Sequence, residues 1–285
     1  MKKFVLSLVI VFFSVAVFAQ QSFFDNYVYQ NWNAFGTLNG TSVTDIVQTS
    51  DGYINIGTYE GLARFDGANF STHKKSKDND LNFISVRTIL EDSSGNLWIG
   101  SNDEGLQLIT PTYTMVFTTE NGLPNNSIRC LAEDKKGNVW VGTASGVVYL
   151  TKSAHMITPQ FEAGTVSKGV ICTSLYCDTS GRMWLITANE RGLFVYQHGL
   201  FCTVRQFDKF GIYFASAICQ EKNGAFWVGL GSDGIIRVEN GQVQKIRTQT
   251  KLDTVATDCI FRTKTGDLWF GTEKGITVLH DGKYH

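Results

Sequence analysis

Polar and charged side chains stand directly before a glycine at six regularly spaced places in the chain. The residues there that could recognise a ligand are Tyr59, Glu60, Asn102, Asp103, Glu104, Asn189, Glu190, Arg191, Asp233 and Glu273. Carboxylates, amides and a phenol hydrogen-bond well to hydroxyl-rich ligands, and the excess of carboxylates also suits a cationic ligand. These residues vary from copy to copy while the glycine does not, as expected where recognition and scaffold are separate. The alternative is that they form solvated turns with no ligand.

Two arginines at equivalent positions extend this candidate site. Arg87 and Arg129 each follow a Ser-x pair at the start of an apolar run. We expect them to line the mouth of a central channel; the alternative is that they pair with neighbouring carboxylates. None of the 5 histidines falls on a predicted inner strand or in one of these loops, which weakens any acid–base enzyme that needs histidine. Neither a Cys-x-x-Cys pair nor a Cys/His cluster suggests zinc, and no cofactor is expected.

The elements that must position these residues are revealed by a repeat. Tryptophans recur at spacings of 42, 44, 43 and 42 residues, and Asn55 holds the equivalent place in a first copy; the five tryptophans are Trp98, Trp140, Trp184, Trp227 and Trp269. One glycine precedes each of these places and a second follows it, at the positions where tight hairpin turns need positive φ. A period near 43 residues, built from short apolar runs and glycine turns, indicates a β-propeller.

The short apolar runs predict four strands in each copy, here called A to D. In the second copy these are the segments around residues 85–91, 97–100, 106–109 and 113–120. Several runs, such as Leu97-Trp98-Ile99, are apolar on both faces, as expected for a blade packed between two other blades. The sequence therefore predicts an all-β fold, a β-propeller of six four-stranded blades. The candidate residues fall in the B–C loops at one end of the ring.

The ends of the chain suggest how the ring closes. The last copy supplies strands A, B and C and then stops near Asp281, while the strand-like segment from Tyr27 to Trp32 has no A, B or C strand before it. We expect this segment to serve as strand D of the last blade, so that the N-terminal strand closes the ring and removes an exposed sheet edge. The alternative is a chain cut short within a hairpin.

The first 19 residues resemble a targeting signal rather than part of the fold. Lys2 and Lys3 precede an apolar core from Phe4 to Phe18, and Val17-Phe18-Ala19 fits a cleavage site. We expect a signal peptide over residues 1–19 and a propeller domain over residues 20–285, which would be periplasmic or secreted; the alternative is an uncleaved membrane anchor. Loss of the two lysines changes the formal charge from -1 to -3, so nucleic acid is not expected as a partner. The 6 cysteines fall mostly on predicted A strands and are expected to be free thiols.

The segment from Asn121 to Gly146, NGLPNNSI followed by GNVWVGTASG, resembles the two-component regulator propeller family. The resemblance extends over the chain from about Thr41 onward. It implies an exported, non-catalytic sensory propeller that binds an oligosaccharide or another small polar ligand, with a membrane signalling protein as its partner. Alternatives are a propeller enzyme, such as a lyase or glycosidase, and a scaffold for protein interactions. The chain departs from the family in having six copies where seven are usual, and in lacking a downstream helix or output domain.

Overall fold

The sequence repeat forms the blades of a propeller. The computed structural model describes residues 23–28, 42–73, 81–162, 169–188, 192–204, 215–231, 234–248, 252 and 254–285. These residues form six sheets, and each sheet contains the strands of one repeat in the order A, B, C, D. The protein is an all-β, six-bladed β-propeller, as the repeat predicts. Two 3-10 turns are present as well, at Phe23–Asn26 and Thr119–Asn121.

Short strands build every blade. Blade 1 contains β1 (Val43–Gln48), β2 (Ile54–Thr58), β3 (Gly61–Phe65) and β4 (Phe70–His73). Blade 2 contains β5 (Thr88–Glu91), β6 (Leu97–Gly100), β7 (Leu106–Ile109) and β8 (Thr114–Phe117). Blade 3 contains β9 (Ile128–Glu133), β10 (Val139–Thr143), β11 (Gly146–Leu150) and β12 (Met156–Ile157).

The second half of the chain repeats this plan with one addition. A short strand, β13 (Gln160–Phe161), precedes blade 4, which contains β14 (Cys172–Cys177), β15 (Met183–Thr187), β16 (Leu193–Gln197) and β17 (Leu200–Thr203). Blade 5 contains β18 (Ala217–Gln220), β19 (Phe226–Gly229), β20 (Ile235–Glu239) and β21 (Gln242–Lys245). Blade 6 contains β22 (Thr257–Arg262), β23 (Leu268–Thr272), β24 (Gly275–His280) and β25 (Lys283–Tyr284). Because β13 pairs in parallel with β17, blade 4 has five strands rather than four.

Strand A is the inner strand of each blade. The inner strands contact one another in sequence order, from β1 through β5, β9, β14 and β18 to β22. The apolar core is divided accordingly into clusters that lie between neighbouring blades. Both faces of the middle strands are therefore buried, which explains why the sequence shows runs of apolar residues instead of strict alternation.

The last blade is completed by the C-terminus, which corrects the prediction for the N-terminal segment. Lys283–Tyr284 pair antiparallel with β24 and occupy the strand-D position expected for residues 27–32. The physical reason is the turn between them, because Asp281 and Gly282 both adopt positive φ and form a two-residue hairpin. Of the N-terminal segment, Tyr27 is described, and its ring centroid lies 5.5 Å from that of Trp269. Residues 29–32 lie outside the described residues.

Four of the five repeated tryptophans are buried between neighbouring blades. The exposed fractions of Trp98, Trp140, Trp184 and Trp227 are 5%, 2%, 4% and 1%, and each side chain packs in an apolar cluster shared with the following blade. Trp269 is only half-buried, and its neighbours include the rings of Phe23, Phe24 and Tyr27. Trp269 is therefore not buried between two blades as the other four tryptophans are.

A carboxylate of the A–B turn accepts the indole N–H of each buried tryptophan, and for Trp227 this carboxylate belongs to Glu221. Asp92, Asp134 and Asp178, in the A–B turns, accept hydrogen bonds from the indole Nε1 of the tryptophan six residues later, at 2.8, 2.9 and 2.9 Å. The same aspartates accept backbone N–H groups of the turn, such as those of Ser94 and Asn96. Burial by itself raises the pKa of these carboxyls, but the hydrogen bonds outweigh it and hold each pKa below the ordinary range.

A second set of hydrogen bonds joins the A–B turn of one blade to the inner strand of the next. The backbone N–H and hydroxyl of Ser93 both donate to the carboxylate of Glu133, at 2.8 and 2.5 Å. Ser50 donates in the same way to Glu91, and Thr179 to the side-chain oxygen of Gln220. These hydrogen bonds fix the position of each of these turns relative to the next blade, in addition to the apolar packing between the blades.

The second glycine of the repeat has the expected conformation at the described positions except one. Gly105 has a φ of 103°, and a Cβ there would lie 2.2 Å from the carbonyl oxygen of Phe117. Gly146 does not adopt a positive φ, which corrects the expectation for this copy. Gly146 is instead required for close packing, because a Cβ at this position would lie 2.9 Å from the Cβ of Pro124.

Candidate ligand-binding face

The B–C loops lie at the opposite end of the blades from the A–B turns, because each hairpin reverses the strand direction. The segment that leads into each inner strand lies at the B–C end as well. The N–H of Val86 donates to the carbonyl of Thr58 at 2.8 Å, and the N–H of Ile128 donates to the carbonyl of Ser101 at 3.0 Å. Loops from neighbouring blades therefore meet at this end of the propeller, as predicted from the strand order.

A hydroxyl at the end of strand B shapes these loops. The hydroxyl of Ser101 donates to the carbonyl of Gly105 at 2.8 Å and accepts the N–H of Glu104 at 2.7 Å. Thr58 and Thr272 make the same pair of contacts in their own blades. The sequence signal for this role is the Ser or Thr that stands three positions after Asn55, Trp98 or Trp269.

The B–C side chains of blades 1, 2 and 6 are accessible to solvent. Tyr59, Glu60, Asp103 and Glu273 are exposed, and Asn102 and Glu104 are half-buried. Glu104 accepts a hydrogen bond from the backbone N–H of Ile84 at 2.6 Å, so its carboxylate also orders the loop that precedes β5. Asn189, Glu190, Arg191 and Asp233 lie outside the described residues.

Three of the predicted residues converge from three different blades. The Arg129 guanidinium on β9 lies close enough to Arg87, which precedes β5, for the two positive charges to repel, and Tyr59 of the first B–C loop lies nearby. Burial and then the positive charge of Arg87 lower the pKa of Arg129. The inner strands therefore bring together two like charges that are 42 positions apart in the sequence.

The described protein groups satisfy only part of the hydrogen-bonding capacity of the two arginines. Arg87 Nη1 lies 3.4 Å from Asn102 Oδ1, which is a long hydrogen bond. Arg129 Nε is buried, and it has no hydrogen-bond partner within the described residues. In the same part of the chain, no carboxylate lies within ion-pair distance of either guanidinium, so the alternative of paired arginines is not observed there. Unpaired guanidinium groups are strong donors to carboxylate, sulfate or hydroxyl oxygens.

Several cysteine thiols are buried, and the histidines lie outside the B–C loops. The cysteines are free, and Cys130, Cys172 and Cys219 are buried. Burial raises the pKa of Cys172 to about 12, so its thiol stays protonated at neutral pH. His73 is on β4, His280 ends β24, His155 and His198 lie in C–D turns, and His285 is C-terminal. The groups brought together at the B–C end are thus hydrogen-bond donors and acceptors, with the guanidinium groups of Arg87 and Arg129 and the carboxylates of the B–C loops.

The fold and this loop face define a propeller whose repeat is shared with known proteins. Residues 80–103 and 122–145 match the model of the two component regulator propeller. A protein described as Histidine kinase P4, from Formosa agariphila, is 33% identical over 89 residues, which are 29% of this chain and 6% of that protein. The chain thus spans a small part of the length of this relative.

Solved structures share the architecture at low sequence identity. The extracellular domain of a putative hybrid two component system from B. thetaiotaomicron aligns with a TM-score of 0.58 and 20% identity, over 86% of this chain and 39% of that one. Virginiamycin B lyase from Staphylococcus aureus, in a catalytically inactive form with quinupristin, aligns with a TM-score of 0.67 and 14% identity, over 88% and 86% of the two chains. PorZ from Porphyromonas gingivalis, a surface component of the type-IX secretion system, has a TM-score of 0.67 and 16% identity, over 88% and 42%. At these identities the likeness concerns the fold alone.

Proposed function

We propose that this chain is the ligand-binding propeller of an exported sensory system, and that it binds a polar oligosaccharide at the B–C face without turnover. The observation that carries the proposal is the convergence of Tyr59, Arg87 and Arg129 from three blades, with a buried Arg129 Nε that has no partner in the described chain. A buried donor without an acceptor costs free energy, and a ligand oxygen would supply the acceptor. The two guanidinium groups favour a sugar that carries carboxylate or sulfate groups.

Titration of the purified chain with matched neutral and acidic oligosaccharides tests the site. We expect binding of the acidic series, and Arg129→Gln should weaken it about tenfold or more, because a hydrogen bond to a charged group contributes roughly 1.5–3 kcal/mol. Lys136→Gln is the matched control, because it removes one positive charge from an exposed A–B turn at the other end of blade 3. Binding that survives Arg87→Gln/Arg129→Gln, or that is lost equally in the control, would contradict the site.

The same titration separates a sensor from an enzyme. If the propeller only binds, the oligosaccharide is recovered unchanged after prolonged incubation, as measured by mass spectrometry. Release of an unsaturated or hydrolysed product would instead support the lyase or glycosidase alternative.

Export is proposed from the N-terminal sequence and from the extracellular domains that share the fold. We expect the mature protein to begin at Gln20 when it is expressed with its leader, and N-terminal sequencing of the secreted or periplasmic fraction checks this prediction. Retention of residues 1–19 in a membrane fraction would favour the anchored alternative. No helix in the described part of the chain is both long and apolar enough to cross a membrane. A membrane signalling protein that reads the bound state is the proposed partner.

A further inference from the structure

The repeated tryptophan has a defined place between two blades, and blade 1 lacks it. In blades 2 to 4 the indole donates to a turn aspartate and packs against the strands of the following blade. In blade 1 the equivalent positions hold Thr49 instead of aspartate and Asn55 instead of tryptophan. Asn55 Nδ2 donates to Thr49 Oγ1 at 2.9 Å, so this short side chain is held back against its own turn. The volume of an indole is therefore missing between blades 1 and 2.

The structure contains a cavity at this place. It has a volume of about 420 Å³ and is lined by Asn55, Arg64, Gly95, Leu97 and Ile109, among other residues. The equivalent space between blades 2 and 3 is lined by the corresponding Trp98, Leu108, Gly137, Val139 and Leu150, and its volume is about 90 Å³. Because the two sites share their backbone plan, the missing tryptophan is one reason why the first cavity is larger.

The walls of the cavity are of two kinds. Leu62, Leu97 and Ile99, from blades 1 and 2, provide buried or half-buried apolar surface against which a flat ring can pack. The side chain of Asp51 also lines the cavity and is 50% exposed, so the cavity reaches solvent near the A–B turns.

The charges around the cavity disfavour an anion. Arg64 forms an ion pair with Asp51, and its guanidinium carbon lies 3.7 Å from the centre of the Tyr53 ring, while its buried Nε has no hydrogen-bond partner among the described residues. Glu91 lines the cavity and accepts two hydrogen bonds from Ser50, without a cation in ion-pair distance in the described chain. His73, on β4, also lines the cavity. The described lining residues include two carboxylates, Asp51 and Glu91, and one guanidinium, Arg64, so these side chains together carry a net negative charge.

From this geometry we infer that the space between blades 1 and 2 is a binding site for a small planar aromatic molecule of indole size, neutral or cationic. The volume lies within the range of about 300–1,000 Å³ that is usual for small-molecule sites. An apolar cavity of about 150 Å³ is sufficient to bind benzene. The ligand ring takes the place that an indole fills in blades 2 to 5, while its polar group faces Glu91 and Asp51. The site does not depend on the proposed sugar site at the B–C face.

Ligand-observed NMR of the purified chain with three probes tests this inference. Indole and tryptamine should bind, and indole-3-acetate should bind at least about threefold more weakly because its carboxylate faces a wall of net negative charge. Failure of both indole and tryptamine to bind at millimolar concentration, or tightest binding of the anion, would overturn the inference.

Filling the cavity locates the site. Asn55→Trp, made together with Thr49→Asp to restore the turn acceptor, should abolish binding of indole and tryptamine and raise the Tm of the free chain. Asn55→Met, a smaller replacement, should weaken binding and keeps the test valid if the double variant does not fold. Lys245→Gln, at an exposed position on β21, is the control and should bind as the unaltered chain does. Unchanged binding by a folded Asn55→Trp or Asn55→Met variant would contradict the assignment.

Discussion

At the scale of single residues, the tryptophan of strand B and the carboxylate of the A–B turn form the basic unit of this fold. Trp140 illustrates the unit, because it is 2% exposed and its Nε1 donates to Asp134. The position of the tryptophans could be predicted from their spacing. The carboxylate six residues before the tryptophan recurs in the sequence as well, but its hydrogen bond to the indole becomes evident only in the structure.

Replacing Trp140 with alanine should destabilise the chain by about 3–5 kcal/mol, the usual cost of truncating a buried aromatic side chain. Trp269→Ala is the matched comparison, and its cost should be smaller because Trp269 is only half-buried. Chemical denaturation of both variants measures the difference. A loss below about 1 kcal/mol for Trp140→Ala would show that this packing contributes little.

The turn carboxylates should make stability dependent on acid pH. Hydrogen bonds hold the pKa values of Asp92, Asp134 and Asp178 below the ordinary range, despite burial that acts to raise them. A carboxyl with a lower pKa in the folded state stabilises the protein fully above the pKa of the unfolded state, which for aspartate is about 3.9. This contribution is lost as the pH falls from about 4 toward the folded pKa.

We therefore expect the free energy of unfolding to fall steeply below about pH 4. Asp134→Asn should be less stable than the unaltered chain at pH 7, and its stability should change less with pH in the acid range. Urea denaturation at a series of pH values checks both expectations. Parallel pH profiles for the two proteins would mean that Asp134 is not one of the groups responsible.

At the scale of strands and turns, neighbouring repeats are joined by side-chain hydrogen bonds. The contact from Ser93 to Glu133 is one of these, between the A–B turn of blade 2 and the inner strand of blade 3. Glu133→Ala should destabilise the chain by about 0.5–1.5 kcal/mol, the usual net contribution of a hydrogen bond. A double-mutant cycle with Ser93→Ala should give a coupling energy of similar size, whereas pairing Ser93→Ala with Glu120→Ala, an exposed residue of the 3-10 turn, should give none.

Most strands could be predicted from the sequence, because glycine turns and apolar runs repeat together. The exceptions have local causes. The prediction missed β25 because Asp281-Gly282 permits a two-residue hairpin and a strand of only Lys283–Tyr284. It missed β13 because Gln160–Phe161 has no counterpart in the other repeats and pairs in parallel with β17. The convergence of Tyr59, Arg87 and Arg129 depends on the arrangement of three blades, which residue spacing alone does not provide.

At the scale of the whole molecule, burial is uneven around the propeller. Ile46 on β1 is 60% exposed and Phe261 on β22 is 64% exposed, whereas Ile128 on β9 and Cys172 on β14 have no exposed surface. The inner strands of the first and sixth blades are therefore the least protected by packing. Local opening requires less free energy where fewer apolar contacts must be broken.

Hydrogen exchange should reflect this difference. We expect the backbone amides of β9, β10, β14 and β15 to exchange most slowly, and those of β1 and β22 to exchange faster by at least about tenfold. Exchange followed by mass spectrometry of peptides from each blade measures the order. Uniform protection of all six inner strands would contradict the expectation and would indicate that β1 and β22 are covered in solution.

The hydrogen bonds between turns and neighbouring inner strands also bear on how such a chain can be lengthened or shortened by recombination. Units 2 to 5 each supply a donor for the next unit and an acceptor for the preceding one, so one whole unit carries both halves of two junctions. Exchange of units is restricted where the acceptor is a side chain, as at Glu133 and Gln220. Exchange of units is less restricted where a lysine donates to a main-chain carbonyl, because every residue type offers that acceptor. Lys135 donates in this way to the carbonyl of Thr179, and Lys222 to that of Lys264. The junctions after the third and fifth units are thus the ones at which a foreign repeat would be accepted with the fewest compensating substitutions.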